Sequence, residues 1–261
     1  MSTPSALVVG AGIVGLAMAR ALAVRGYRVT VLERHDRAVG ASVRNFGMIW
    51  PIGVSNGPEY QRALRSRQIW QEIIDATGLW HDPCGSLHVA QASDELAALA
   101  QYAASNQGQR PCQLLDRSQA LARHPLLAPA QLHGALFNAD ELVIDPRQAL
   151  PALATYLQDR YQVQFHWRMP VTAVETGKVH SGRRLFQADH VYLCNGADFE
   201  QLYPELHEAA PLTRCKLQMM RLALPDASLR LGAAVCGGLS LVHYPGFQQV
   251  ADLEPLRRRY Q

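Results

Sequence analysis

The sequence predicts an α/β protein in which a parallel-sheet domain alternates along the chain with a smaller mixed-sheet (α+β) domain. Three observations predict it. The stretch "ALVVGAGIVGLAMARALAVRGYRVTVLERH", residues 6–35, runs from an apolar segment through a glycine turn and a helical pattern to a second apolar segment. From Cys84 the texture changes to short strand-like and helical pieces. After a strongly signalled helix at Pro146, strand-like segments return in "VQFHW", "PVTAVETG" and "HVYLCNGA". That order describes two intergrown domains rather than beads on a string. The first is expected over residues 1–83 and 142–211, the second over 84–141 and 212–261.

Each element has its own signal. Leu7–Val9 reads as a short buried strand, and the helix after the glycine turn runs to Val24, where Gly26 closes it. Val29, Val31 and Leu32 form the next strand. A polar loop, "HDRAVGASVRNFGMIWPIG", leads into a second helix. Tyr60, Ala63, Leu64, Arg67, Trp70, Ile73, Ile74 and Thr77 share one face of it, and Gly78 ends it. "GSLHVA" alternates like a strand, Ser93 is placed to cap a helix through Leu96, Leu99 and Ala103, and "LHGALF" is another strand. At "IDPRQ", Asp145 is an N-cap, Pro146 sits at N1 and Gln148 at N3, the start of a capping box. The helix that follows buries Leu150, Leu153, Ala154 and Leu157. Final strands are expected in "LTRCKLQMMRLAL" and "GLSLVHY", and "RRR" at 257–259 reads as a solvated helix end.

Composition narrows the function classes. A chain of 261 residues buries roughly 70–75% of its unfolded surface. Charged residues at 18% and hydrophobic ones at 48% are ordinary for a soluble globular protein. The formal charge of +3 is small and the arginines are scattered, which argues against a nucleic-acid partner. Five cysteines form an odd set with no CxxC pair, and no HExxH occurs, so no metal site is expected. They read as free thiols of a reducing cytosol. The apolar stretch Ala6–Ala19 is not a signal peptide: "MSTPS" carries no positive charge, and Gly10, Gly12 and Gly15 interrupt it. No run reaches the ~18 apolar residues of a membrane span. The expected location is the cytoplasm.

Gly10-x-Gly12-x-x-Gly15 follows a strand and opens a helix. The first glycine permits a tight turn, the second lets the backbone approach a pyrophosphate, and the third allows close helix–strand packing. The helix amino end then faces negative charge. Glu33, the only acid in the stretch, ends the second strand, where a carboxylate accepts hydrogen bonds from a ribose diol. Glycines that serve packing alone do not explain this acid. The pattern therefore points to an adenine dinucleotide, and Glu33 disfavours a 2′-phosphate.

"VVGAGIVGLAMARALAVRGYRVTVLER" followed by "GASVRNFGMI" resembles the FAD-dependent amine oxidases of the D-amino-acid oxidase, glycine oxidase and sarcosine oxidase superfamily. The resemblance implies a Rossmann-like FAD-binding domain interleaved with a substrate domain, and non-covalent FAD. It places Gly10, Gly12, Ile13, Val14, Gly15, Glu33 and Arg34 along the cofactor, with Ala41 and Ser42 near the phosphates and ribityl chain. Asn45, Phe46, Gly47 and Met48 would lie against the isoalloxazine. Val171 would close over the adenine, and Cys194, Asn195 and Gly196 would form a turn beside the cofactor. Asp198 departs from the aromatic residue the family carries after that turn.

More narrowly, "GASVRNFGMIWP", "RALRSRQIW", "CGSLHVA" and "CKLQMMR" resemble a bacterial subfamily proposed for aminophosphonate catabolism. Its implied substrates are 2-aminoethylphosphonate or N-methylated relatives. The implied chemistry belongs to the flavin, which takes a hydride from the carbon beside the amine and passes electrons to oxygen or another acceptor. No dedicated base is required. Substrate-side candidates are Met48, Lys216, Gln218 and Tyr244, with Arg44, Arg221 and His243 as further partners for an anion. Against these stand the plainer expectations that the arginines serve the surface, that His88, His166 and His243 are satisfied fold histidines, and that Trp50 and Trp70 pack. Superfamily members continue beyond "LEPLRRRYQ", so a C-terminally truncated form is expected. Two other readings stay open, a flavin monooxygenase and a catalytically silent dinucleotide-binding fragment.

Overall fold

The computed structural model describes residues 3–226, 228–250 and 253–260, and the chain divides into two compact units. The first comprises Met1–Phe46, Asp75–Leu79 and Asp145–Arg221. The second comprises Gly47–Ile74, Trp80–Ile144 and Leu222–Gln261. Residues 47–74 thus group with the second unit, although the sequence patterns placed them with the first. Ile52, at the centre of a core cluster with Leu99, Leu136 and Phe247, accounts for that grouping.

In the first unit β1 (Ser5–Val9) leads through the glycine turn into α1 (Ile13–Val24), and β2 (Arg28–Leu32) follows. With β9 (Gln164–His166) and β13 (His190–Leu193) they form a parallel sheet of order β13-β1-β2-β9. Every residue of β1 is buried, as a central strand covered on both faces requires. α1 packs against β1, β2 and α5 (Pro146–Tyr161). Leu7, Val9 and Leu32 meet Val171, Val179 and Leu202 in one apolar core. Val179 belongs to an antiparallel meander, β10 (Ala173–Glu175), β11 (Lys178–Ser181) and β12 (Arg184–Gln187). Gly177 and Gly182, both at positive φ, make its two tight turns. A short helix α6 (Pro204–Ala209) lies further on.

Among the described residues the second unit has two sheets. β3 (Met48–Ile49) and β4 (His81–Asp82) flank β8 (Leu142–Ile144). The larger sheet has the order β14-β5-β7-β6, from β5 (Ser86–Ala90), β6 (Cys112–Asp116), β7 (Gly134–Asn138) and β14 (Ala234–Cys236). The unit's helices are α3 (Ser93–Ser105), α4 (Arg117–Arg123), α7 (Leu239–His243), α8 (Glu254–Tyr260) and most of α2 (Pro58–Thr77), whose last three residues group with the first unit. Leu99 and Tyr102 of α3 and Leu256 of α8 join Leu136 in one apolar cluster. Leu87, Ala135 and Phe137 point to the opposite face and meet Ala120 of α4.

Several local expectations need correction. "LTRCKLQMMRLAL" forms neither strand nor helix, and Leu217, Met220 and Leu222 are exposed. A strand needs a neighbouring ladder, and apolar residues alone do not supply one. "GLSLVHY" forms the helix α7, because five residues are too few to separate a period of two from one helical turn. α3 starts one residue earlier than expected. Ala92 is its N-cap and supplies no side-chain cap, while Glu95 accepts the part-buried N–H of Gln91, at 2.6 Å. Asp145 caps α5 as expected through the Arg147 N–H, but Gln148 bonds the Asp145 carboxylate instead of its backbone N–H. Thr77 is exposed at the end of α2. Arg259 is not merely solvated: it pairs with Asp94 and Glu95 on α3.

Candidate functional site

A cavity of about 490 Å³ lies at the carboxyl ends of the parallel strands of the first unit. Gly10 turns the chain at φ +103°, and a Cβ there would stand 2.4 Å from the Cys194 carbonyl oxygen. Gly15 packs even closer, since its Cβ would stand 1.9 Å from the Gly10 carbonyl oxygen. These two glycines are required by the protein itself. Gly12 differs, because only Ser42 Oγ, at 3.1 Å, is near its Cβ position. Gly12 lines the cavity, so a larger side chain there would take cavity space.

Glu33 is 9% exposed and also faces the cavity. Its Oε2 accepts the Ala11 N–H at 2.8 Å and its Oε1 the His35 N–H at 3.0 Å. The Glu33 backbone is pinned as well, to His166 and Met169 at 3.0 and 2.8 Å. The loop after β2 returns to the same place. There Ser42 Oγ accepts the Ile13 N–H at 2.9 Å, which caps α1 although its N-cap, Gly12, has no side chain. On the far wall the Cys194 N–H donates to Val9, and Gly196 turns at φ +67°. Burial pushes the Cys194 thiol up, so it stays neutral.

The cavity gathers Gly10, Gly12, Glu33, Arg34, Ala41 and Ser42 from the first part of the chain. It adds Val171, Cys194, Asn195 and Gly196 from residues far along it. Ile13, Val14 and Gly15 do not line it, and Val14 is 65% exposed. Asn45 and Phe46 also lie off its wall, Asn45 donating to the Ser42 carbonyl and Phe46 projecting outward. Gly47 and Met48 belong to the second unit, where Met48 pairs with Val143.

Sequence reasoning missed Asp198 as a wall residue. Its carboxylate meets Arg34 at 2.6 Å and accepts the N–H groups of Glu200 and Gln201. Burial pushes the Asp198 carboxyl up, but Arg34 and those two N–H groups outweigh it and hold it below the usual range. Its signal is its place in the turn just after Gly196.

The substrate-side candidates are not assembled into a site. Lys216, Gln218 and Arg221 lie on the exposed irregular segment, where the strand expected in "LTRCKLQMMRLAL" does not form. Arg44 and His243 are exposed. Tyr244 caps the end of α7, its ring edge-on to Trp50 at 4.3 Å. His88 is buried as expected but not satisfied. It stacks on Trp50, burial drives its pKa down to about 3, and neither ring nitrogen has a partner among the described residues. Also among the described residues, no cluster of His, Cys, Asp or Glu could hold a metal, and no helix is long and apolar enough to cross a membrane.

A parallel sheet with a three-glycine turn after its first strand, and a carboxylate at the end of its second facing a cavity, defines a dinucleotide-binding protein of the Rossmann type. Residues 5–246 match the DAO family, the FAD dependent oxidoreductases, and the chain belongs to that family. Its cofactor is FAD. The bifunctional protein MnmC of tRNA 5-methylaminomethyl-2-thiouridine biosynthesis from Pseudomonas putida is 31% identical over 243 residues, 88% of this chain and 35% of that protein. Monomeric sarcosine oxidase of Streptomyces avermitilis is 26% identical over 213 residues, 78% of this chain and 54% of that protein. The crystal structure of glycine oxidase from Geobacillus kaustophilus superposes with a TM-score of 0.68 at 24% identity, covering 78% of this chain and 59% of that one. That likeness is one of fold. The chain spans between about a third and three-fifths of the length of these proteins.

Proposed function

We propose that the first unit holds FAD non-covalently in its cavity and that the protein oxidises a small amine. The observation that carries this reading is Glu33 facing a cavity whose floor is the cradle at Gly12. Glu33 would take the ribose hydroxyls, and the amino end of α1 would face the pyrophosphate, contributing about 0.3–1 kcal/mol where exposed. Ala41 and Ser42 would lie along the phosphates and ribityl chain, Val171 over the adenine, and Cys194–Gly196 beside the cofactor.

When bound, FAD would supply the hydride acceptor for the carbon beside the amine nitrogen, and oxygen or another acceptor would take the electrons. The chain's part is to bind, to orient the substrate and to favour its uncharged amine. The substrate class is supported by relatives whose names carry sarcosine and glycine. The narrower substrate, 2-aminoethylphosphonate or its N-methyl form, is supported only by the resemblance of segments such as "GASVRNFGMIWP" and "CKLQMMR". Met48, Lys216, Gln218 and Tyr244 lack that support, and none of them lines the cavity.

The test is a visible spectrum of the purified protein, followed by anaerobic addition of 2-aminoethylphosphonate, its N-methyl form, glycine, sarcosine and D-alanine. Flavin bands that one of these amines bleaches are the expected result. Yellow protein that no amine bleaches would leave a dinucleotide-binding module and remove the oxidase. Gly12→Val is expected to fold, to melt a few degrees lower because its side chain crowds Ser42 Oγ and the cofactor's stabilisation is gone, and to lose the flavin; full occupancy in that variant would overturn the site.

A further inference from the structure

The Arg34–Asp198 pair crosses the carboxyl end of β1. Arg34 follows β2, Asp198 lies in the turn after β13, and β1 stands between those two strands in the sheet. Neighbouring strands lie about 4.8 Å apart, so the two residues leave the sheet roughly 10 Å from each other. Their side chains close that gap to 2.6 Å. Both line the cavity, and the glycine turn that ends the intervening strand lines it too.

The two partners are unequal. Asp198 is fixed, because its Oδ1 accepts the N–H groups of Glu200 and Gln201 at 3.3 and 3.2 Å while Oδ2 faces Arg34. Its side chain is only 16% exposed. The Arg34 side chain is 46% exposed, and among the described residues its guanidinium bonds Asp198 alone. Asp198 is the post and Arg34 the arm.

We propose that Arg34 and Asp198 form a latch over the dinucleotide cavity, one that must open before the bound cofactor leaves. The inference rests on the FAD reading above. A dinucleotide in this fold lies across the crevice beyond the strand ends, so a bridge from the β2 side to the β13 side crosses its exit. A guanidinium has five donors in a fixed fork, so Arg34 can hold Asp198 with one arm and still face ligand oxygens with the others.

The test is FAD release from the holoprotein, followed by the rise in flavin fluorescence after dilution. The variants are Asp198→Asn, which keeps the Oδ1 acceptor of the turn, Arg34→Gln, and the two together. Each single variant is expected to release FAD about two- to fivefold faster at low salt, the size a partly exposed ion pair supports. The double variant should be no faster than the faster single one, because each change removes the same interaction. The wild-type rate should rise toward that of the variants in 1 M salt, where screening acts over about 3 Å, and Arg34→Gln, which carries no charge at this position, should respond least. Equal rates in all four proteins, or a wild-type rate indifferent to salt, overturn the latch alone. A wild-type protein that takes up no FAD overturns the cofactor reading itself, and the latch with it.

Discussion

Glu33 and Glu141 do the same mechanical work in the two units, yet only one of them is available to a ligand. Each holds a loop to a sheet end by accepting backbone N–H bonds, Glu33 from Ala11 and His35, Glu141 from Ile52 at 3.0 Å. Glu141 also takes Ser86 Oγ at 2.8 Å and Asn138 Nδ2 at 3.3 Å, and it is sealed at 1% exposure. An ionised carboxylate offers about four acceptor positions. Glu33 uses two of them on the protein and has the rest on a cavity wall. Glu141 uses three with no open space beside it. Unspent acceptor capacity facing a cavity, rather than burial, is what separates the two acids.

The sharpest way to break this comparison is at the turn that orients Glu33's cavity. Gly15→Ala would drive a methyl group to 1.9 Å from the Gly10 carbonyl oxygen. The expected loss is about 4 kcal/mol or more. Urea unfolding would show it as a collapse of the first unit together with loss of flavin. A stable Gly15→Ala protein would mean that the turn is not packed as described.

Glu141 offers a test by pH. Burial raises its pKa from 4.5 to about 7, so the folded state binds a proton that the unfolded chain gives up. Its contribution is fully present below pH 4.5 and is lost as pH rises through about 7, on the order of 3 kcal/mol for the whole span. Urea midpoints should therefore fall between pH 5 and pH 8. Glu141→Gln, which keeps an acceptor for Ile52 and cannot ionise, should flatten that fall. An equally steep fall in the variant would assign the titration elsewhere.

The smallest effect is expected at Ser42. Removing its hydroxyl in Ser42→Ala leaves the Ile13 N–H without its acceptor at the start of α1. The cost is about 1 kcal/mol, the usual size for a helix cap. A thermal melt should register it as roughly 2–4 °C. No change would show that another group reaches that N–H.

The sequence held the signals whose residues are neighbours in the chain. Gly26 after α1 and Asp145 capping α5 depend on contacts within a few residues, and the glycine turn and the acid ending β2 are legible from their spacing even though Gly10 packs on Cys194 and Glu33 bonds Ala11. Strands whose partners exist also read correctly, as β7 and β13 did. The segment at 212–224 has equal apolar content and no partner ladder, and it stays irregular.

The meetings across long separations arise from the packed fold alone. Asp198 reaches Arg34 over 164 positions, Ile52 reaches Glu141 over 89, and Ser42 reaches Ile13 over 29. Each depends on which strands stand side by side. Strand order is fixed by burial of the whole sheet, and no local run of residues encodes it.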